Sequence, residues 1–314
     1  MNLEDIRRIL VVGTGTMGQR IALQCARYGY EVIAYDCSAE SLAIANAKIP
    51  VDAAELVAQQ RMTPEESAAA LARITFTLNP EDGATADLVS ESVYEDPELK
   101  AKVFARFNTI CPPHTIFTTN TSTLLPSMYA AATGRPAQFA ALHFYWVWDG
   151  NMADVMPHPG TSPETLELLA AFAKGIGQVP LVFKKEVPGY VGNALLGALN
   201  NAAIKLAIID EAVSIEDVDR TAMLVLGMPK GPFGILDVVS LDTLWRITVT
   251  TAKLSGDSGA LEFAENFIKK RYLDKGLLGV KSGRGFYTYP NPAYSRPEFL
   301  TADFIRNDDD SPSD

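Results

Sequence analysis

Short β-branched runs alternate with longer stretches of helical spacing through the first half of the chain. Residues 8–12 (RILVV), 31–35 (EVIAY), 88–92 and 115–118 read as strands. Between them, residues 17–28 and 97–108 carry apolar side chains at helical spacing, the mark of a helix with one buried stripe. That alternation predicts βαβ units, a mostly parallel sheet and right-handed crossovers. Residues 39–73 break the rhythm. They are rich in Ala, Glu and Gln, and Thr63-Pro64-Glu65-Glu66 has the form of a capping box, with Thr63 as cap and Glu66 closing it. The stretch predicts a helical excursion, two helices in antiparallel contact, before the sheet resumes at 74–76.

Strands are predicted again at 139–144 and 152–156, then a helix at 163–174 and a strand at 180–183. After Pro188 only helical patterns follow, at 189–209, 214–225, 242–254 and 261–274. The chain therefore divides into a sheet domain, 1–186, and a helical domain, 187–306, with the boundary near 184–188. The tail 307–314 (NDDDSPSD) is acidic and apolar-poor, so disorder is expected there. A length of 314 residues accommodates two such domains.

Composition narrows the class. With 47% hydrophobic and 21% charged residues the chain has the balance of a globular protein. No run approaches the ~20 uninterrupted apolar residues that span a bilayer, and the first residues lack the pattern of a signal peptide. A cytoplasmic location without a membrane partner is the expectation. Cys25, Cys37 and Cys111 form no CxxC pair and read as reduced thiols, not as a disulfide framework or metal site. The net charge of −11 argues against nucleic-acid binding, while leaving room for a local basic patch that holds a small anion.

Gly13-Thr14-Gly15-Thr16-Met17-Gly18 is G-x-G-x-x-G, placed directly after a strand and opening a helix. Gly13 permits the tight turn, Gly15 lets the backbone approach a pyrophosphate, and Gly18 allows close helix–strand packing. The helix start at Thr16 and Met17 offers N–H groups and a partial positive charge. Asp36 ends the next strand, 18 residues after Gly18. It can accept both ribose hydroxyls of NAD and would repel the 2′-phosphate of NADP. The fold expectation is thus an α/β Rossmann-type doubly wound sheet with a helical excursion, followed by an all-α C-terminal domain, with NAD as cofactor.

Three histidines make the search for a base short. His114 follows Pro112-Pro113 and reads as solvent-facing; His158, in Pro157-His158-Pro159-Gly160, reads as part of a rigid turn. His143 ends an apolar strand where open α/β sheets build their sites. Alcohol oxidation needs a base for the hydroxyl proton while hydride leaves for nicotinamide, and imidazole titrates in a suitable range. A packed core histidine is the alternative at this position.

Over nearly its whole length the chain resembles the 3-hydroxyacyl-CoA dehydrogenase family. The glycine motif with Asp36 comes first. The run from Asp87 to Glu95, then Lys100, is similar to the family's D-L-V-x-E-A-x-x-E with a following lysine. Thr119-Asn120-Thr121-Ser122-Thr123 resembles S-N-T-S-S, and Leu142-His143-Phe144 resembles L-H-F-F. Pro188-Gly189-Tyr190-Val191-Gly192-Asn193 resembles P-G-F-x-x-N, Met228–Phe233 the P-M-G-P-F turn, and Lys281–Tyr287 the K-x-G-x-G-F-Y run.

The resemblance implies roles residue by residue. His143 is the general base in oxidation and acid in reduction. Ser122 and Asn193 donate to the reacting oxygen, Asn193 from the helical domain. Glu95, Lys100, Asn120 and Lys281 contribute to the cofactor site, and the helical domain supplies a homodimer interface. Each has a structural alternative: Ser122 and Asn120 as helix caps, Asn193 at a loop carbonyl, Glu95 and Lys100 as a solvated pair. After His143 the sequence departs from the family's L-H-F-F-N-P-x-x-x-M-x-L-V-E-V. The N-P is absent, the interval is one residue shorter, and Asp154 stands where the paired glutamate belongs, with Asp149 as a rival partner. Trp146 and Trp148 make this wall bulky and apolar, fit for an apolar substrate portion or for packing. Arg61 lies where relatives place cations for a CoA phosphate; an exposed loop arginine is the other reading.

The implied reaction is NAD-linked oxidation of an L-3-hydroxyacyl-CoA to the 3-oxoacyl-CoA. Two readings stand beside it: the same chemistry on a hydroxy acid or apolar secondary alcohol without CoA, and an NAD-binding protein without turnover.

Overall fold

The computed structural model describes residues 1–148, 150–302 and 304. Asp149 and the acidic tail at 307–314 lie outside the described residues. The chain divides into two compact units, Met1–Val191 and Gly192–Asp314.

The first unit is built on one eight-stranded sheet. Its strands are β1 (Arg8–Val12), β2 (Glu31–Tyr35), β3 (Ile74–Thr77), β4 (Leu88–Glu91), β5 (Ile116–Thr119), β6 (Phe139–Phe144), β7 (Met152–Met156) and β8 (Val179–Val182). Their order across the sheet is β3-β2-β1-β4-β5-β6-β7-β8. Neighbours run parallel except β6 and β7, which are antiparallel. The order reverses between β1 and β4, so the crevice for a ligand opens there, beyond the carboxyl ends of the strands.

Successive side chains of each strand go to opposite faces. Ile9, Val11, Leu88, Leu142 and Val155 lie under α1 (Thr16–Arg27), α2 (Ala39–Ala58), α3 (Pro64–Ala72) and α5 (Pro163–Gly175). Leu10, Val12, Val89, Phe117 and Phe139 lie under α4 (Pro97–Ile110) and the short turns after β5. The excursion is α2 and α3. Thr63 Oγ1 accepts the Glu66 amide at 3.2 Å and the Glu66 carboxylate accepts the Thr63 amide at 2.8 Å, a closed capping box.

The second unit is helical: α6 (Tyr190–Ile204) running into a π turn (Lys205–Ile209), α7 (Ile215–Val225), α8 (Pro232–Val239), α9 (Leu241–Ser255) and α10 (Ser258–Phe263). Two elements differ from the sequence expectation. The helix expected over 261–274 starts earlier, capped by Asp257, and gives way to a π turn (Ala264–Lys269) and a 3-10 turn (Leu273–Lys275). The Met228–Phe233 turn opens helix α8. Its free N–H groups at Phe233 and Gly234 are satisfied by the Asp219 carboxylate at 2.9 Å each, a cap supplied from α7 and invisible in the local sequence.

Asp237 does similar work one helix later. Its oxygens accept the amides of Phe286 and Tyr287 at 2.9 Å each and the Tyr289 hydroxyl at 3.1 Å. The chain comes this close at Gly285 because it has no side chain: a Cβ there would sit 2.0 Å from Asp237 Oδ1. Helix and turn over Tyr190–Ile209 are long and apolar enough, by length and composition, to cross a membrane, although Asn193, Asn200, Asn201 and Lys205 interrupt them.

Candidate active site

β1 delivers its last residues to the reversal point of the sheet. Gly13 has φ +96°, and a Cβ there would meet the Ser92 carbonyl oxygen at 2.8 Å. A Cβ on Gly18 would fall 1.9 Å from the Gly13 oxygen, so α1 packs on the loop only because that side chain is missing. Gly15 is different: a Cβ there meets nothing within 4 Å. The space above it faces the first N–H groups of α1, at Thr16 and Met17, which have no side-chain cap. That open, electropositive surface fits a pyrophosphate. Asp36 braces the loop: Oδ2 accepts the Thr14 amide and hydroxyl at 2.8 and 3.0 Å, and Oδ1 accepts the Ser38 amide at 2.9 Å. A carboxylate has about four acceptor positions, so one remains for a ribose hydroxyl. The residues present fit a dinucleotide.

The next strands hold a buried charge network. Glu91, at the end of β4, is fully buried; its carboxylate accepts Lys100 Nζ at 2.7 Å, the Val93 amide at 2.7 Å and the Thr119 hydroxyl at 2.7 Å. Burial raises the Glu91 carboxyl from its ordinary value, against the pull of Lys100, Thr119 and the Val93 amide. Lys100 is equally buried and also reaches Glu95 at 3.2 Å. Glu95 in turn accepts the Thr121 hydroxyl at 2.7 Å and the Ser122 amide at 2.9 Å. Lys100 and Glu95 thus hold the segment that carries Ser122. Asn120 accepts the Phe144 amide at 2.9 Å and ties this segment to the end of β6, beside His143.

His143 and Asp154 are opposite one another in the antiparallel β6–β7 register, so both side chains leave the same face of the sheet. His143 Nδ1 lies 3.2 Å from Asp154 Oδ2. The same oxygen accepts the Tyr145 hydroxyl at 2.7 Å, and the Tyr145 ring stands edge-on to the imidazole with centroids 4.6 Å apart. The Tyr190 ring closes the other side at 5.2 Å, held in a left-handed backbone conformation at φ +52°. His143 is buried, 6% exposed, and Asp154 behind it is fully closed.

Beyond β6, Trp146 is exposed, while Trp148 turns back onto α1. Its Nε1 donates to Gln24 Oε1 at 3.1 Å, Arg20 lies over its ring, and its carbonyl accepts from Arg61. Trp148, Arg20 and Arg61 border a cavity of about 430 Å³ between α1 and α2, lined also by Thr16, Gln19 and Lys48. A larger cavity of about 580 Å³ opens at the amino ends of β1 and β2, where Arg8 pairs with Glu31; none of the candidate residues lines it. The remaining histidines are structural or peripheral. His158 is held by the Pro136 carbonyl at 2.9 Å and the Gly160 amide at 3.0 Å, and His114 is exposed beside Asp87. In the second unit, Asn193 lies exposed in the first turn of α6, and Lys281 donates to Asp242 at 2.6 Å.

Three residues of this site escape a reading of the sequence. Glu91 is hidden because an acid inside a strand carries no local sign that a lysine nine residues on will meet it. Tyr145 and Tyr190 stand where the resemblance has phenylalanine, so the extra hydroxyl is the only signal.

Comparison with known proteins follows the same division. The NAD-binding domain of 3-hydroxyacyl-CoA dehydrogenase matches residues 8–187, and the C-terminal domain of that family matches residues 189–289. A probable 3-hydroxybutyryl-CoA dehydrogenase of Bacillus subtilis is 32% identical, over 91% of this chain and 98% of its own length. Among solved structures, the (S)-3-hydroxybutyryl-CoA dehydrogenase of Ralstonia eutropha superposes with a TM-score of 0.80 at 28% identity, covering 91% of this chain and all of that one. A diketoreductase acting on dicarbonyl compounds superposes with a TM-score of 0.82 at 38% identity, covering 90% of this chain and 99% of its own. The chain belongs to the 3-hydroxyacyl-CoA dehydrogenase family and is an NAD-dependent oxidoreductase.

Proposed function

We propose that the protein oxidises L-3-hydroxyacyl-CoA to 3-oxoacyl-CoA, reversibly, with His143 as the general base. The observation that carries this reading is the His143–Asp154 pair at the carboxyl edge of the sheet that bears the glycine loop. NAD, when bound, accepts the hydride from the carbinol carbon. His143 takes the hydroxyl proton on Nε2, while Asp154 accepts Nδ1–H, fixes the tautomer and stabilises the imidazolium that forms. Ser122 donates to the same oxygen and stabilises its developing charge; a donor role for Asn193 rests on the family resemblance alone. Glu95 and Lys100 act one step back, by holding the segment of Ser122. Arg20, Lys48 and Arg61 around the α1–α2 cavity supply cations for the phosphates of a CoA tail.

A second reading has an observation of its own. Arg61 is committed to the Trp148 carbonyl, and the diketoreductase likeness is to a protein that acts on dicarbonyls without a stated thioester. On that reading the substrate is a free hydroxy acid, secondary alcohol or diketone. Turnover of 3-hydroxybutyryl-CoA against free 3-hydroxybutyrate, with reduction of a small diketone in parallel, separates the two. Activity confined to thioester-free substrates overturns the CoA reading and leaves the reaction intact.

The homodimer belongs to this proposal as well. Leu195, Leu206 and Ile209 leave α6 and its π turn with an apolar, exposed surface, and a second copy of the chain is its occupant. A monomer in sedimentation at micromolar concentration would refute it. The cytoplasm is the proposed location.

A further inference from the structure

The two oxygens of Asp154 are unequally served. Oδ2 takes the Tyr145 hydroxyl at 2.7 Å and faces His143 Nδ1 at 3.2 Å, whereas Oδ1 is buried with no hydrogen-bond partner among the described residues. A buried carboxylate short of donors is costly and has freedom to turn toward whatever donor it finds. The shorter contact here is the tyrosine, so the hydroxyl decides how the carboxylate sits. Its ring, edge-on to the imidazole, is itself fixed next to the group that the carboxylate serves.

Both partners are where this sequence departs from the pattern it resembles. Position 145 carries tyrosine in place of the second phenylalanine of L-H-F-F, and position 154 carries an acid one methylene shorter. We propose that Tyr145 is a positioning residue that compensates for the short acid: its hydroxyl pins Asp154 Oδ2 in front of His143 Nδ1 and thereby orients the imidazole. This rests on His143 being the base. The two differences are a matched pair. A glutamate at 154 would drive its carboxylate into the tyrosine oxygen, and a phenylalanine at 145 would leave Asp154 without its nearest donor.

The test is a double-mutant cycle on the intact chain, reading kcat, KM for NAD and NAD affinity by calorimetry. Tyr145→Phe and Asp154→Glu each lower kcat about tenfold with NAD affinity unchanged, while the double variant returns to within about threefold of the parent, a coupling far outside additivity for neighbours that act alone. Losses that multiply in the double variant overturn the proposal, as does a Tyr145→Phe chain with full kcat. A Tyr145→Phe chain that no longer binds NAD also overturns it, because the hydroxyl would then serve folding. His143→Gln separates the premise from the inference. Retained turnover in that variant removes the base itself; an inactive His143→Gln beside multiplying losses removes Tyr145 alone.

Discussion

Buried carboxylates organise both units of this chain, and they are used in opposite ways. Asp219 and Asp237, in the helical unit, have both oxygens filled, each by two backbone amides and at least one tyrosine hydroxyl. Both are fully buried, so no ligand from solvent reaches them. Asp154, in the sheet unit, spends one oxygen on an imidazole and a phenol and leaves the other unpartnered among the described residues. A carboxylate saturated by backbone fastens the chain; one aimed at a titratable side chain conditions that side chain's chemistry. The difference also separates two kinds of motif. The amides of Phe233 and Gly234 close on Asp219 and those of Phe286 and Tyr287 on Asp237, whereas the segments at 119–123 and 142–144 are tied to Glu95 and to one another.

The largest effect should come from the Asp154 side of that comparison, where the proposed base stands. His143→Gln is expected to lower turnover about 10²- to 10⁴-fold, the range of general-base loss, with NAD affinity nearly unchanged. NADH formation and calorimetry measure the two. An equal loss of NAD binding would mean that His143 is a packing residue, and the contrast between the units would fail.

How far the sequence reached follows from range. The parallel sheet was legible because each strand is a short apolar run between helix-period stretches, and the Thr63–Glu66 box because all its atoms lie within four residues. Helix α8 was not, because its cap comes from Asp219, 14 residues before Phe233. The break after Phe263 was not, because a π turn of six residues is too short for its wider period to show in the apolar pattern. In the site, the glycine loop carries its own geometry in sequence. Glu91 with Lys100, and Tyr145 with Asp154, depend on which side chains the register and the helix packing bring together, and single residues do not announce that.

The structural side predicts a pH effect. Burial pushes the carboxyls of Asp219 and Asp237 up to about 6 each, from an ordinary 3.8, against the amides and tyrosines that favour the charged form. A carboxyl raised in the fold binds protons more readily there than in the unfolded chain. Its contribution to stability is therefore complete below about pH 4 and is lost as pH rises through 6, by about 3 kcal/mol per group at most. Urea unfolding followed by Trp245 fluorescence, with Trp146 and Trp148 replaced by Phe, should show the helical unit weakening between pH 4 and 7. A flat profile would mean that the amide cages outweigh burial.

The smallest effect is the sharpest comparison, because the same edit can be made in both units. Tyr287 donates its hydroxyl to Asp219 Oδ2 at 2.9 Å, as Tyr145 donates to Asp154. Asp219 keeps two backbone amides when that hydroxyl goes, so Tyr287→Phe should cost about 1 kcal/mol of stability, the usual worth of one hydrogen bond in a group that stays satisfied. Turnover should stay at the parent level. Tyr145→Phe removes the nearest donor from a carboxylate with only the imidazole as its other recorded partner, and its effect falls on kcat. Melting temperature and kcat measured on both variants form a two-by-two comparison. If Tyr287→Phe lowered kcat as Tyr145→Phe does, with no loss of stability, the helical carboxylates would belong to the chemistry, and the distinction between fastening and conditioning would not hold in this chain.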